Sequence, residues 1–112
     1  LASYPVVSYA DLADARSRGD DPYVVDLRRD DERSAGYIVG THHLPLHQLL
    51  GRTDEVPGDR PVWLHCAAGY RASVAASILK AQGRDVVLVD GDFYPNAITA
   101  GLEMAAAEPA HA

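Results

Sequence analysis

Two periodicities alternate along this chain. Three short apolar runs, Tyr23-Val24-Val25-Asp26-Leu27, Pro61-Val62-Trp63-Leu64-His65 and Asp85-Val86-Val87-Leu88-Val89-Asp90, are each bounded by turn residues and read as buried strands. Stretches with helical spacing lie between them. Ser8-Tyr9-Ala10-Asp11 has the form of a capping box, Ser8 as N-cap and Asp11 in place of the usual Glu. Leu12, Ala15 and Arg16 follow at helical spacing, and Gly19 stops the helix. Arg71 to Lys80 predicts a second helix that buries Val74, Ala75, Ile78 and Leu79 and ends at Gly83; Asn96 to Met104 predicts a weaker last one. The polar stretch from Arg28 to Ser34 predicts a short helical turn before Gly36. Gly36 to Pro45 reads as loop around one short strand at Thr41–Leu44, then a brief helix from Pro45 to Leu50, and Pro57-Gly58-Asp59 as a turn. Strands and helices in alternation point to an α/β domain with a mainly parallel sheet. Such sheets carry reactive residues at the carboxyl ends of their strands, where Asp26 and Cys66 both fall.

Composition narrows the function classes. At 112 residues the chain is expected to hold one domain, over 4–104, with a linker end at 1–3 and a flexible tail at 105–112. The start at Leu1, without Met, fits a domain excised from something longer. A net charge of −6 argues against nucleic acid or an anionic membrane surface as the main partner. No apolar stretch approaches the roughly 18 residues needed to cross a bilayer, so no membrane is expected. The single cysteine cannot form an internal disulfide, and a reactive thiol would be best kept in reducing cytoplasm, the expected location.

That cysteine is the main chemical signal. Cys66 stands where the second strand hands over to the second helix, in the six-residue turn Cys66-Ala67-Ala68-Gly69-Tyr70-Arg71. N–H groups at a helix start have no intrahelical partners, and the helix dipole adds partial positive charge there. An anion is stabilised at such a place, and a thiolate is an anion. The plainer alternative is a buried small hydrophobe, which would need neither a glycine-bearing turn nor an arginine at its exit. His42, His43 and His47 cluster, and the last two have the i, i+4 spacing that can hold a metal. With no cysteine nearby and Pro45 between them, a surface cluster is expected, and no metal or cofactor is implied. His65 precedes the nucleophile, either buried or adding positive potential.

Four motifs in order resemble those of the rhodanese (sulfurtransferase) homology domain. Asp26-Leu27-Arg28 with Glu32 resembles its Asp-x-Arg-x-x-x-Glu signature, and Gly36-Tyr37-Ile38-Val39-Gly40-Thr41 its Gly-His-Ile-x-Gly-Ala stretch. Cys66 to Arg71 resembles the active-site loop, and Val89-Asp90-Gly91 the last strand and the first of a glycine pair. The likeness runs from about Tyr4 to Leu102. Tyr37 replaces the usual His, Thr41 the usual Ala and Asp92 the second Gly, with Phe93 or Tyr94 as the aromatic that commonly follows. None of these departures touches the loop. The loop is also similar to those of rhodanese modules fused behind metallo-β-lactamase-fold hydrolases, which would make a fused or neighbouring hydrolase domain a partner.

The resemblance implies a five-stranded, mainly parallel sheet flanked by helices on both sides, and a sulfurtransferase. Cys66 would take a sulfane sulfur from thiosulfate or a thiol persulfide, become a persulfide, and pass the sulfur to a thiol acceptor. The N–H groups of Ala67 to Ala72, freed by the small side chains of Ala67, Ala68 and Gly69, would cradle the sulfur anion. Tyr70 is expected at the pocket mouth. Arg71 either contacts an anionic donor or braces the loop against a carboxylate. Arg28 is expected at the pocket edge, with Asp26 and Glu32 as structural support. Related phosphatases place five residues between cysteine and arginine; four intervene here, enough for one sulfur and too few for a phosphoryl group. The runner-up is a non-catalytic regulatory or docking module of a larger enzyme, and a redox-sensing thiol is the minor alternative.

Overall fold

A computed structural model describes residues 3–106. In chain order the elements are β1 (Val6–Val7), α1 (Tyr9–Ser17), β2 (Tyr23–Asp26), α2 (Asp30–Ala35), β3 (Tyr37–Ile38), β4 (His42–His43), β5 (Val62–His65), α3 (Tyr70–Ala81), β6 (Val86–Val89), α4 (Phe93–Thr99) and β7 (Met104–Ala105). Two 3-10 turns, Leu46–Gly51 and Thr53–Glu55, link β4 to β5. Five strands form one parallel sheet in the order β1-β6-β5-β2-β4, and β3 pairs antiparallel with β7 in a second, two-stranded sheet.

The three central strands are the apolar runs of the sequence, and their alternation divides the core. Val25, Leu64 and Leu88 face α3, whereas Val24 and Val89 face α1 and α4 with Tyr9, Leu12, Phe93 and Ala97. Helices therefore cover both faces, as a parallel sheet requires. Each fully buried Val, Leu or Phe contributes roughly 1.5–3 kcal/mol relative to exposure. The capping box at α1 is made in both directions: Asp11 N–H donates to Ser8 Oγ at 3.1 Å and Ser8 N–H to Asp11 Oδ2 at 2.8 Å.

Four expectations shift. The buried face of α3 is Ala72, Ala75, Ala76 and Leu79, with Val74 and Ile78 only half-buried, so its small residues let the helix lie close on β5 and β6. The region expected as loop around a Thr41–Leu44 strand contains β3 as well, and its parallel strand covers only His42–His43. The last helix begins at Phe93 rather than Asn96 and ends at Thr99, not Met104. Pro95 falls in its first turn, where a missing N–H costs nothing because no carbonyl lies one turn back to receive it. Ala105, expected in the tail, pairs with Tyr37 instead; the rest of the tail from 107 onward, and residues 1–2 of the linker end, lie outside the described residues.

Register then sets the site. Asp26 is opposite His65 across the β2–β5 ladder, and Leu27 N–H continues the pairing to His65 O at 2.9 Å. The carboxyl ends of two neighbouring strands thus stop side by side, one carrying Asp26 and the other Cys66.

Candidate active site

Cys66 follows β5 directly and is 1% exposed. Its sulfur is not packed as a plain hydrophobe. Gly69 N–H donates to Sγ at 3.1 Å and Ala72 N–H at 3.3 Å, so two main-chain donors converge on one atom. The turn can do this because Gly69 adopts φ +103°, a conformation that favours glycine, and because a Cβ there would run into the Asp90 carboxylate. Ala68 is exposed, Ala67 half-buried and Ala72 fully buried as α3 begins. Phe93 N–H closes the far side of the turn on Ala67 O at 2.8 Å.

Arg71, at the exit, meets a carboxylate. Its two Nη groups donate to Glu32 Oε1 at 2.6 Å and Oε2 at 2.9 Å, a bidentate pair joining residues 39 apart in sequence. Glu32 Oε1 also accepts from Arg29 N–H at 2.8 Å, which caps α2. The Arg71 guanidinium, with that N–H behind it, holds the Glu32 carboxyl down to about 2.

Behind this pair lies a second, deeper one. Arg28 is 1% exposed; its Nε and Nη2 donate to the two oxygens of Asp26 at 3.0 and 2.9 Å, and Nη2 also to Gly36 O at 2.7 Å. Its guanidinium carbon stands 4.0 Å from the centroid of Phe93. Burial pushes the Asp26 carboxyl up, but Arg28 outweighs it and the carboxyl stays below the usual range. Arg33 adds a further bond to Asp26 Oδ2 at 3.3 Å and donates to Thr41 Oγ1 at 2.8 Å, while stacking over Tyr37. Two departures from the family pattern, Tyr37 and Thr41, therefore form one seat for Arg33.

His65 is fully buried between Tyr9 and Phe93, its ring stacked on Phe93 at 5.3 Å. Burial drives its pKa down to about 4, so the ring is neutral at neutral pH and adds no positive potential. Tyr9 OH donates to Cys66 O at 3.1 Å and fixes the carbonyl from which the turn departs. The other histidines among the described residues have separate settings: His42 stacks on Tyr23, His43 Nε2 lies 2.7 Å from Arg28 O, and His47 is exposed.

Beside the turn opens a cavity of about 600 Å³, lined by Arg28, Glu32, Ala67, Asp92, Phe93 and Tyr94 among others. Tyr70 is 77% exposed and lies outside that lining. The structure brings Cys66, Ala67, Arg28, Asp26 and Glu32 to one place, whereas Tyr70, expected at the pocket mouth, stands apart from the cavity. The sequence reading missed Tyr9 and Asp90. Tyr9 could have been found, since an aromatic at the first helical position, in phase with Leu12, has to face the sheet. Nothing local marks Asp90, whose role depends on where Gly69 folds against it.

Residues 8–95 match the rhodanese-like domain family. YqhL of Bacillus subtilis strain 168, an uncharacterised protein, is 37% identical over 60 residues, covering 54% of this chain and 48% of its own length. A sulfurtransferase of Allochromatium vinosum is 36% identical over 69 residues, covering 62% of this chain and 64% of its own. The chain thus spans about half to two-thirds of these relatives. A rhodanese-like domain protein from Staphylococcus aureus shares the fold at a TM-score of 0.80 and 24% identity, over 88% of this chain and 96% of that one. Among the described residues no helix is long and apolar enough to cross a membrane.

Proposed function

The chain belongs to the rhodanese-like domain family, and from that premise we propose that it is a sulfurtransferase working through a persulfide on Cys66. The observation that carries the reading is the pair of N–H groups, from Gly69 and Ala72, aimed at one sulfur. Fixed donors directed at a site of negative charge stabilise a thiolate, and equally the persulfide anion that replaces it, without reorganising at the moment of transfer. In the first half-reaction Cys66 Sγ attacks the outer sulfur of a donor; the donor's S–S bond breaks and its remainder leaves with the bonding electrons. In the second, an acceptor thiolate attacks the outer sulfur of the Cys66 persulfide and Cys66 departs as thiolate. Ala67, Ala68, Gly69, Tyr70 and Ala72 form the binding turn, Arg71 holds it to Glu32, and Arg28 forms a wall of the cavity. No cofactor takes part. The setting that suits this thiol is a reducing compartment such as cytoplasm, with a hydrolase domain as the neighbour in a longer chain.

The test is intact mass measurement after prolonged incubation with thiosulfate, with glutathione persulfide and with cysteamine persulfide. A gain of one sulfur atom, absent in Cys66→Ala and removed by excess dithiothreitol, is the expected result. If none of the three donors adds sulfur, the module is a docking or regulatory unit and the catalytic reading is wrong.

A further inference from the structure

The cavity beside Cys66 has a charge pattern that the transfer reaction alone does not require. Its wall is largely apolar, made by Phe93, Tyr94, Pro95 and Ala35, and its charged lining is Arg28 with Asp31, Glu32 and Asp92. The one cation in that lining is already spent, since Arg28 holds Asp26 through two bonds and the Gly36 carbonyl through a third. Arg71 is committed to both oxygens of Glu32. Asp92 stands at the start of α4, exposed and without a capping bond. A narrower groove on the other side of Arg71, lined by Arg29, His47 and Leu46 among others, is more basic, but Arg29 too is paired, with Asp31.

From this geometry, and resting on the sulfur-transfer reading above, we infer that the donor is a low-molecular-weight thiol persulfide whose carbon body carries no negative charge, uncharged or amine-bearing, and that the thiosulfate dianion is a poor substrate. A cavity of about 600 Å³ is of the size that holds small molecules. The donor's carbon body lies on the aromatic wall, and an ammonium group, where present, faces Asp92. Asp31 and Glu32 are each neutralised by an arginine, Arg29 and Arg71, so Asp92 is the unpaired charge of the lining, and thiosulfate would bring two negative charges to it with no unpaired guanidinium to receive them. The step balances with nothing else supplied. Cys66 Sγ as thiolate attacks the outer sulfur of R–S–SH, the S–S bond breaks, RS⁻ leaves with the electron pair, and the transferred sulfur arrives as Cys66–S–SH and gives its proton to solvent, leaving the persulfide anion.

A charge series on one reactive group tests this: the persulfides of cysteamine, mercaptoethanol and mercaptoacetate, with thiosulfate beside them, each timed by the mass gain on Cys66. The expected order is cysteamine, mercaptoethanol, mercaptoacetate, thiosulfate, with a spread of about fivefold between the ammonium and carboxylate persulfides at low ionic strength, the worth of one exposed charge pair. Salt compresses the spread, because exposed charges are screened, and Asp92→Asn narrows it as well. Mercaptoacetate persulfide and thiosulfate loading as fast as the cysteamine donor would overturn the inference while leaving sulfur transfer intact, and would place the donor in the groove beside Arg71. Failure of all four donors overturns the sulfur-transfer reading and the inference together.

Discussion

The turn that holds the sulfur and the segment that holds the turn are built from opposite materials. Around the Cys66 sulfur the contacts are main-chain: two N–H groups on Sγ, Phe93 N–H on Ala67 O, and Ala67, Ala68, Gly69 and Ala72 kept small so that nothing intervenes. From Asp26 to Arg33 the contacts are side-chain charges: Arg28 on Asp26, Arg33 on Asp26 and Arg71 on Glu32. The contrast follows from what each part must do. A site for a variable anion is best made from dipoles that carry no net charge and cannot rearrange, whereas a strut between distant segments needs long side chains with strong, directional pairing.

Breaking the strut at its deepest point has the largest effect expected on stability. Asp26→Asn leaves Arg28 buried without its counter-ion, and removing one member of such a pair costs about 3–5 kcal/mol. Urea denaturation measures it, and the surviving folded fraction still gains sulfur on Cys66. An Asn variant as stable as the parent would show that Gly36 O and Phe93 are enough to hold Arg28.

Damage to the main-chain part acts chiefly on rate. Gly69→Ala forces a side chain into a φ of +103° and against Asp90. Strain of this kind costs about 1–3 kcal/mol, and displacing one preorganised donor lowers the rate on the order of a hundredfold. Stopped-flow timing of sulfur gain reads that loss. An unchanged rate would mean that the N–H of Ala72 alone supports the anion.

The smallest effect falls between the two parts. Glu32→Gln weakens the grip on Arg71, a pair at the edge of the cavity and only partly buried, and costs about 1 kcal/mol. It also has a signature in acid. Folded Glu32 titrates near 2 against an ordinary 4.5, so its contribution is complete above about pH 4.5 and disappears as pH falls toward 2. Thermal melts across that window decline more steeply for the parent than for the Gln variant. Parallel curves would remove Glu32 from the account of the strut.

The same contrast explains what could be read from the chain beforehand. The central strands, the capped start of α1 and the placing of Cys66 before α3 each depend on neighbours within a few residues, so the pattern reveals them. β1, β3 and β7 are two residues long and exist because of partners far along the chain: Val6 against Leu88, Tyr37 against Ala105. No local periodicity can announce them. Within the site, Asp26, Arg28 and Glu32 were legible as a charged group, but which arginine would take which carboxylate was not. That assignment depends on α2 turning Glu32 toward the exit of the loop while Asp26 stays in the sheet. The start of α4 was missed for a different reason, because Pro95 reads as a stop unless its place in the first turn is known.

The supports of the sulfur arrive late. A ribosome issues Cys66 well before Asp90, which abuts Gly69, and Phe93, which ties down Ala67. Until some two dozen further residues have emerged, the thiol belongs to an unfinished chain with an open flank. In the folded domain the same atom is 1% exposed, so the access that oxidation of a thiol requires falls once these supports have closed.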